Sequence, residues 1–164
     1  MIDEDTDILA TSVLEAARQR GLTIATAESC TGGLVSAALT SIAGSSDVFD
    51  RGFITYTNEA KQQNLGVSTK SLDSMGAVSE AVVKEMAYGA LANSMADIAV
   101  SVTGIAGPGG GSRDKPVGTV WIGVAQLGET PIGTLKQYDS EDRSSIRGQA
   151  VVTALSLLLE AIAS

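Results

Sequence analysis

The chain of 164 residues contains no histidine and a single cysteine, Cys30. Without an imidazole, a Ser-His-Asp triad cannot form, so a nucleophilic serine would need a different base. One cysteine excludes an internal disulfide, and a lone thiol without histidine rules against a structural zinc site. No cluster of carboxylates in the sequence suggests bound Mg²⁺. We therefore predict no metal and no cofactor.

Charged residues are also scarce. They make up 18% of the chain, against about 25% in a typical globular domain, while 44% of the residues are hydrophobic. This composition leaves little polar surface for a lone monomer, so we expect a homo-oligomer. The net charge of −8 is opposite in sign to the field of a nucleic-acid groove. We expect no nucleic-acid partner, although a local arginine can still hold one phosphate.

Long apolar runs are absent as well. No run reaches the ~18 residues of a membrane span, and the acidic N-terminus, residues 1–5, differs from the basic start of a signal peptide. Both absences predict a cytoplasmic protein without a membrane partner. The length is sufficient for one domain, residues 1–164, with a sizeable core.

Apolar periodicity and turn residues predict alternating helices and strands. The predicted helices are 5–20, a helix from about 34 to 39, 58–65, 68–75, a helix capped by Ser79, and 142–163. The predicted strands are one from about 22 to the Ser29 turn, 49–57, 97–103, and a hairpin of 117–126 and 132–138. This order predicts an α/β fold, a three-layer α/β/α sandwich with a mixed, mostly parallel sheet. The apolar segment 97–103 should be its central strand.

The most informative stretch is the turn at Ser29. A helix start leaves about four N–H groups unpaired and adds partial positive charge, which favours a developing oxyanion or a phosphate. Gly32 and Gly33 would let a substrate approach the backbone. The alternative is that Ser29 or Thr31 only caps the helix.

Lys61 is the obvious base for a serine in a chain without histidine. It is predicted in the first turn of a helix capped by Asn58, where the dipole disfavours the ammonium form, so partial burial should lower its pKa. Ser29 and Lys61 both follow strands, whose ends collect ligands in open α/β sheets. Tyr56 could bond to either group. The alternatives are a solvated surface lysine and a half-buried strand tyrosine.

Three further features have two interpretations each. The glycine-rich segment 104–118 lacks the ending of a P-loop, and is either a flexible connection or a loop that covers substrate. Arg143 and Arg147, one helical turn apart, would either meet a phosphate or pair with the acidic residues 139, 141 and 142. Cys30 is a rival nucleophile, but we favour a small buried hydrophobe.

Several separated segments together resemble the CinA C-terminal domain family, whose enzymatic members are nicotinamide-nucleotide amidases. The segments are TAESCTGG (26–33), GSS (44–46), RGFITYTNEAK (51–61), GAVSE (76–80), TGIAGPGGG (103–111) and KPVGTVW (115–121). They span essentially the whole chain. Two small departures, at Thr57 and Gly109, do not affect the implied chemistry.

The resemblance implies conversion of nicotinamide mononucleotide to nicotinic acid mononucleotide and ammonia, in pyridine-nucleotide salvage. The family's nucleophile falls on Ser29, its lysine base on Lys61 and its supporting tyrosine on Tyr56. The family's substrate contacts fall on Thr103, Gly104 and Arg143. We also expect substrate contacts around the Ser29 turn, at Glu28, Thr31, Gly32 and Gly33. Many relatives carry an additional N-terminal domain, for which this chain has no room, so it resembles the stand-alone form.

Two other functions stay open at this point. One is a non-catalytic nucleotide-binding or interaction module linked to competence or DNA damage. The other is a Ser/Lys or Cys amidase that acts on a different carboxamide.

Overall fold

A five-stranded sheet lies between two layers of helices in the computed structural model, which describes residues 3–140 and 142–164. The helices are α1 (Glu4–Arg20), α2 (Leu34–Thr40), α3 (Asn58–Leu65), α4 (Thr69–Met75), α5 (Glu80–Ala92) and α6 (Arg143–Ala163), with one 3-10 turn at Ser45–Asp47. The strands are β1 (Ile24–Glu28), β2 (Phe49–Ile54), β3 (Ile98–Gly104), β4 (Thr119–Gln126) and β5 (Ile132–Gln137). Each predicted helix and strand is present, with ends shifted by a few residues.

The strand order is β2-β1-β3-β4-β5. Strand β1 pairs in parallel with both β2 and β3, while the β3–β4 and β4–β5 pairs are antiparallel. All strands except β4 therefore point in one direction, although parallel and antiparallel neighbour pairs are equal in number. The predicted α/β sandwich with a mixed sheet is confirmed, and β3 is its central strand.

An apolar core fills the space on each face of the sheet. Helices α1, α2 and α6 pack on one face, around side chains such as Val100 and Val102 of β3. Helices α3, α4 and α5 cover the other face, where Ala99 of β3 is buried. Strand β3 is apolar almost throughout because side chains on both of its faces are enclosed.

Helix α6 needs separate mention because it is long and apolar enough to cross a membrane by length and composition alone. In the structure, its side chains at Ile146, Leu155, Leu158 and Ile162 are fully buried. They belong to the core that α6 shares with α1 and the sheet. Packing within the protein thus accounts for the apolar character of this helix.

The parallel arrangement of β1, β2 and β3 brings three chain segments to one edge of the sheet. Ser29 follows β1, Thr55 and Tyr56 follow β2, and Thr103 lies at the end of β3. Because the carboxyl ends of parallel strands meet at one edge, residues far apart in sequence become neighbours there.

Candidate active site

Ser29 and Lys61 meet at this edge of the sheet. The distance from Ser29 Oγ to Lys61 Nζ is 2.9 Å. The backbone of Ser29 is fixed because its amide extends the hydrogen-bond pattern between β1 and β3, donating to Val102 O at 2.9 Å. Lys61 lies in the first turn of α3 and reaches inward until only 1% of the residue is exposed. The structure therefore brings together the two groups proposed for the chemistry.

The surroundings of Lys61 favour an uncharged amine. Its Nζ also lies 2.9 Å from Thr55 O and 3.3 Å from Tyr56 O. A neutral amine has two N–H donors and one lone pair, which match two carbonyl acceptors and one donating serine hydroxyl. Burial lowers the pKa of Lys61 from its ordinary value. Among the described residues, none of the ion pairs includes Lys61.

Helix α3, which carries Lys61, begins one residue earlier than its predicted cap would place it. Thr57 rather than Asn58 is the N-cap, and its Oγ1 accepts from Ala60 N at 3.1 Å. This fixes the start of α3 directly after the β2 segment. The carbonyl groups of Thr55 and Tyr56 are thereby held next to the side chain one turn into the helix.

Tyr56 takes part through its backbone, which corrects the expectation that its hydroxyl bonds to Ser29 or Lys61. The hydroxyl instead accepts from Arg143 Nη2 at 2.7 Å, and the residue is 56% exposed. Arg143 Nη1 also donates to Gly107 O at 2.8 Å. Arg143 thus bridges the segment after β2 and the glycine-rich segment after β3.

The Glu28 carboxylate occupies the N-terminus of α2, which the sequence suggested as a binding site for an anion. Its Oε2 accepts from the amides of Gly33 and Val35, both at 3.0 Å, and its Oε1 accepts from the amide and hydroxyl of Ser36, both at 2.8 Å. The carboxylate is buried and all its acceptor positions are used. In this geometry Glu28 holds the start of α2, and its contact with substrate stays a prediction. Neither Ser29 nor Thr31 caps α2, whose N-cap is Gly33.

Glu28→Gln should destabilise the fold by about 3 kcal/mol, because charge-assisted hydrogen bonds are lost and a side-chain amide donor faces backbone donors. Urea unfolding measures the loss. Glu59→Gln changes an exposed glutamate of α3 and should leave the free energy of unfolding nearly unaltered. Equal stability of the two variants would contradict this role for Glu28.

The glycines of the Ser29 turn are needed for its backbone conformation and do not provide an open path for substrate. Gly32 and Gly33 have φ angles of 62° and 100°, in the region that favours glycine. A Cβ on Gly33 would lie 2.9 Å from Ile54 Cδ1. Their amides are also engaged: Gly32 N donates to Ser29 O at 3.0 Å, and Gly33 N donates to Glu28.

Two amides of the turn lack such acceptors. Within residues 3–140 and 142–164, no backbone carbonyl accepts from the N–H groups of Cys30 and Thr31. The Cys30 N–H interacts only with its own thiol, where it partly offsets the rise in the thiol's pKa. Thr31 is fully buried, and its hydroxyl also has no partner in the described part of the chain. Cys30 keeps 6% exposure. The sequence favoured helix-start amides from Thr31 to Gly33 as donors to an anion. In the structure the Gly32 and Gly33 amides are engaged, whereas the Cys30 and Thr31 amides, close to Ser29, bond to no backbone carbonyl of the described residues.

Arg147 is a residue of the site whose role the sequence did not reveal. Its Nε donates to Cys30 O and its Nη2 to Thr31 O, both at 3.0 Å. It therefore does not share a phosphate with Arg143 in this geometry. Asp139 and Asp142 form no ion pair with either arginine, and Glu141 lies outside the described residues. Asp142 instead caps α6 through Ser145 N at 2.8 Å.

Thr103 and Gly104 lie at the edge as expected, but their side-chain positions are enclosed. Thr103 Oγ1 donates to Ala77 O at 2.9 Å and the residue is buried. A Cβ on Gly104 would lie 2.6 Å from Val120 Cγ2, so close packing against β4 requires glycine there. Any substrate contact at Gly104 must use the backbone. The following residues 108–114 are exposed.

Cys30 is buried within the core under α1, α2 and α6. Burial raises the pKa of its thiol to about 11. A thiol that stays protonated is a weak nucleophile, so the structural interpretation of Cys30 is favoured. In the described part of the chain, no three carboxylate or thiol groups are arranged as metal ligands.

Comparisons with known proteins add an independent finding. A family model described as the CinA C-terminal domain matches residues 6–162. The nicotinamide-nucleotide amidohydrolase PncC of Enterobacter agglomerans is 53% identical over 92% of each chain. PncC of Escherichia coli K12 is 52% identical, over 96% of this chain and 95% of that protein. The crystal structure of competence/damage inducible protein CihA from Agrobacterium tumefaciens has a TM-score of 0.96 and 47% identity, covering 100% of this chain and 99% of that one. These names describe an amidohydrolase in one case and competence or damage induction in the other.

Proposed function

The chain belongs to the CinA C-terminal domain family, and from that premise we propose that it hydrolyses the carboxamide of nicotinamide mononucleotide to nicotinic acid mononucleotide and ammonia. The observation that carries this proposal is the 2.9 Å separation of Ser29 Oγ and Lys61 Nζ in a chain without histidine. The names of the amidohydrolase relatives supply the substrate. We place the reaction in pyridine-nucleotide salvage in the cytoplasm.

The reaction has two halves. Neutral Lys61 takes the proton from Ser29 Oγ, which attacks the carboxamide carbon and forms a C–O bond. The C–N bond then breaks, and Lys61 returns its proton to the departing ammonia. Water, deprotonated by Lys61, hydrolyses the acyl-enzyme ester and regenerates the Ser29 hydroxyl. No further co-reactant is required.

The tetrahedral intermediates carry an oxyanion that needs a preorganised donor. The Cys30 amide is the candidate, because it follows the proposed nucleophile directly and donates to no backbone carbonyl of the described residues. The amides of Gly32 and Gly33 are occupied. An amide N–H in this place stabilises the charge only as it develops, which lowers the barrier rather than strengthening substrate binding.

Arg143 is the proposed contact for the anionic part of the substrate. Its guanidinium is exposed and bound to two neutral acceptors, Tyr56 Oη and Gly107 O. A guanidinium has five N–H donors, so further donors remain for a phosphate. A chain with net charge −8 must bind such an anion locally, since its overall field repels it.

Large exposed apolar side chains support the proposal of a homo-oligomer. Met95 is 81% exposed, Ile132 66% and Tyr88 63%. Ile132 lies on β5, the last strand of the sheet formed by residues 3–140 and 142–164. Light scattering of the purified chain tests this proposal, and a monomer at micromolar concentration would contradict it.

Incubation of the purified chain with nicotinamide mononucleotide tests the proposed function. Ammonia and nicotinic acid mononucleotide should appear in equal amounts, and the Ser29→Ala variant should produce neither. A panel of nicotinamide, nicotinamide riboside, asparagine and glutamine tests the alternative of another carboxamide. Nucleotide binding without ammonia release from any of them would favour the non-catalytic module.

Cys30→Ala should keep most of the amidase activity, because the Cys30 thiol is protonated and buried while its backbone amide remains. Kinetics with nicotinamide mononucleotide measure this. The wild-type thiol should also react slowly with iodoacetamide at pH 8. Rapid alkylation that abolishes activity would assign the nucleophile to Cys30.

A further inference from the structure

Two charged side chains form hydrogen bonds to the backbone of the Ser29 turn, and neither bonds to Ser29 itself. Glu28 accepts from amides at the end of the turn, and Arg147 donates to two carbonyl groups in its middle. Arg147 comes from α6, in the layer on one face of the sheet, whereas Lys61 comes from α3 on the other. The turn thus lies between the base and an arginine from the opposite layer.

Peptide planarity links the Arg147 contacts to the direction of the turn amides. In a trans peptide, the C=O and the following N–H point in opposite directions. Arg147 holds Thr31 O, so Gly32 N–H points away from it and donates to Ser29 O at 3.0 Å. That bond fixes the Ser29–Cys30 peptide, whose N–H is the Cys30 amide. The hydrogen bond from Arg147 Nε to Cys30 O fixes the Cys30–Thr31 peptide, which lies between the other two peptides, in the same way.

We propose that Arg147 is a positioning residue that keeps the Cys30 amide aimed at the developing oxyanion and Ser29 Oγ at the amine of Lys61. This inference rests on the proposed function and assigns Arg147 a role separate from substrate binding. Its planar guanidinium can donate to two neighbouring carbonyl oxygens at once in a fixed geometry. A lysine ammonium cannot reproduce this two-pronged arrangement. Loss of the arginine would let three consecutive peptides rotate.

Kinetics of Arg147→Ala test the proposal. Since displacement of reacting groups by about 1 Å costs on the order of 100-fold, kcat should fall by about that factor. KM and the pH at which activity rises should stay unchanged, because Arg143 and Lys61 are retained. Guanidinium chloride at non-denaturing concentration should restore part of kcat, whereas Arg147→Lys should remain impaired.

Arg18→Ala is the matched control. Arg18 also donates to a loop carbonyl, Gly44 O at 3.1 Å, but far from the Ser29 turn in the chain. Its kcat should equal that of the wild type and should not respond to guanidinium. Wild-type kcat in Arg147→Ala, or a loss that guanidinium does not repair in a folded variant, would overturn the proposal.

Labelling of Ser29 by a fluorophosphonate separates this inference from the choice of substrate. The probe needs only the nucleophile, its base and the oxyanion donor. If the wild type labels but releases no ammonia from nicotinamide mononucleotide, the proposed substrate is wrong, while slower labelling of Arg147→Ala still supports positioning. Equal labelling rates in wild type and variant would refute it, as would a wild type that does not label.

Discussion

Ser29→Ala is expected to lower kcat for ammonia release from nicotinamide mononucleotide by about 10⁴-fold or more. The proposed covalent route disappears with the hydroxyl, and the neighbouring Cys30 thiol should not replace it, since Cys30 is buried with a raised pKa. KM should change little, because Ser29 is only 8% exposed and offers little surface to bound substrate. Steady-state kinetics measure both quantities.

The matched control for this variant is Ser46→Ala, an exposed serine just before the start of β2, at the opposite edge of the sheet from Ser29. It should have wild-type kcat. Circular dichroism and the urea midpoint should show that Ser29→Ala remains folded. Substantial turnover by folded Ser29→Ala would exclude Ser29 as the nucleophile, and loss of turnover in Cys30→Ala instead would transfer that role to the thiol.

Lys61→Met is expected to lower kcat by about 10³-fold, within the range of general-base catalysis. Methionine keeps the length and apolar stem of the side chain but has no proton acceptor of comparable strength. Lys61→Arg should be equally inactive at every accessible pH, because a guanidinium does not deprotonate in proteins. Kinetics of both variants at several pH values measure the loss.

The pH dependence of the wild type follows from the same group. The proposed mechanism requires neutral Lys61, so kcat/KM should rise with pH through an apparent pKa below the ordinary value of 10.5. Between the folded and unfolded pKa values the unfolded chain binds more protons, so wild-type stability should also rise with pH, by at most about 1.4 kcal/mol per unit. Below the folded pKa this contribution is flat.

Lys61→Met lacks this titration, which provides the control. The difference in unfolding free energy, wild type minus Lys61→Met, should therefore grow with pH across the window. Urea unfolding at a series of pH values measures it. A constant difference, or activity that falls as pH rises toward 10.5, would contradict a neutral amine at Lys61.

The pairing of Ser29 with Lys61 was predictable because it depends on few facts. Each residue follows a strand, the strands alternate with helices, and parallel strands end at one edge. The absence of histidine removed the usual base. The order β2-β1-β3 was not predictable, because apolar patterns specify which faces are buried but not which strands are neighbours.

The differences between expectation and structure concern the directions of side chains. Glu28 has the same sequence context whether it faces substrate or folds back onto α2, and only the observed contacts decide that it satisfies the helix start. Tyr56 points to Arg143 because α6 approaches from a distant part of the chain. The spacing of Arg143 and Arg147 predicted a shared face, but not that Arg147 would hold carbonyl groups.

The most direct test of the account is an NMR titration of the Lys61 side-chain nitrogen in ¹⁵N-lysine-labelled protein, assigned by comparison with Lys61→Met. The account predicts that Lys61 loses its proton at a pH below its ordinary pKa of 10.5, in the range where kcat/KM rises. A Lys61 that stays protonated wherever the enzyme is active would contradict its role as the base for Ser29.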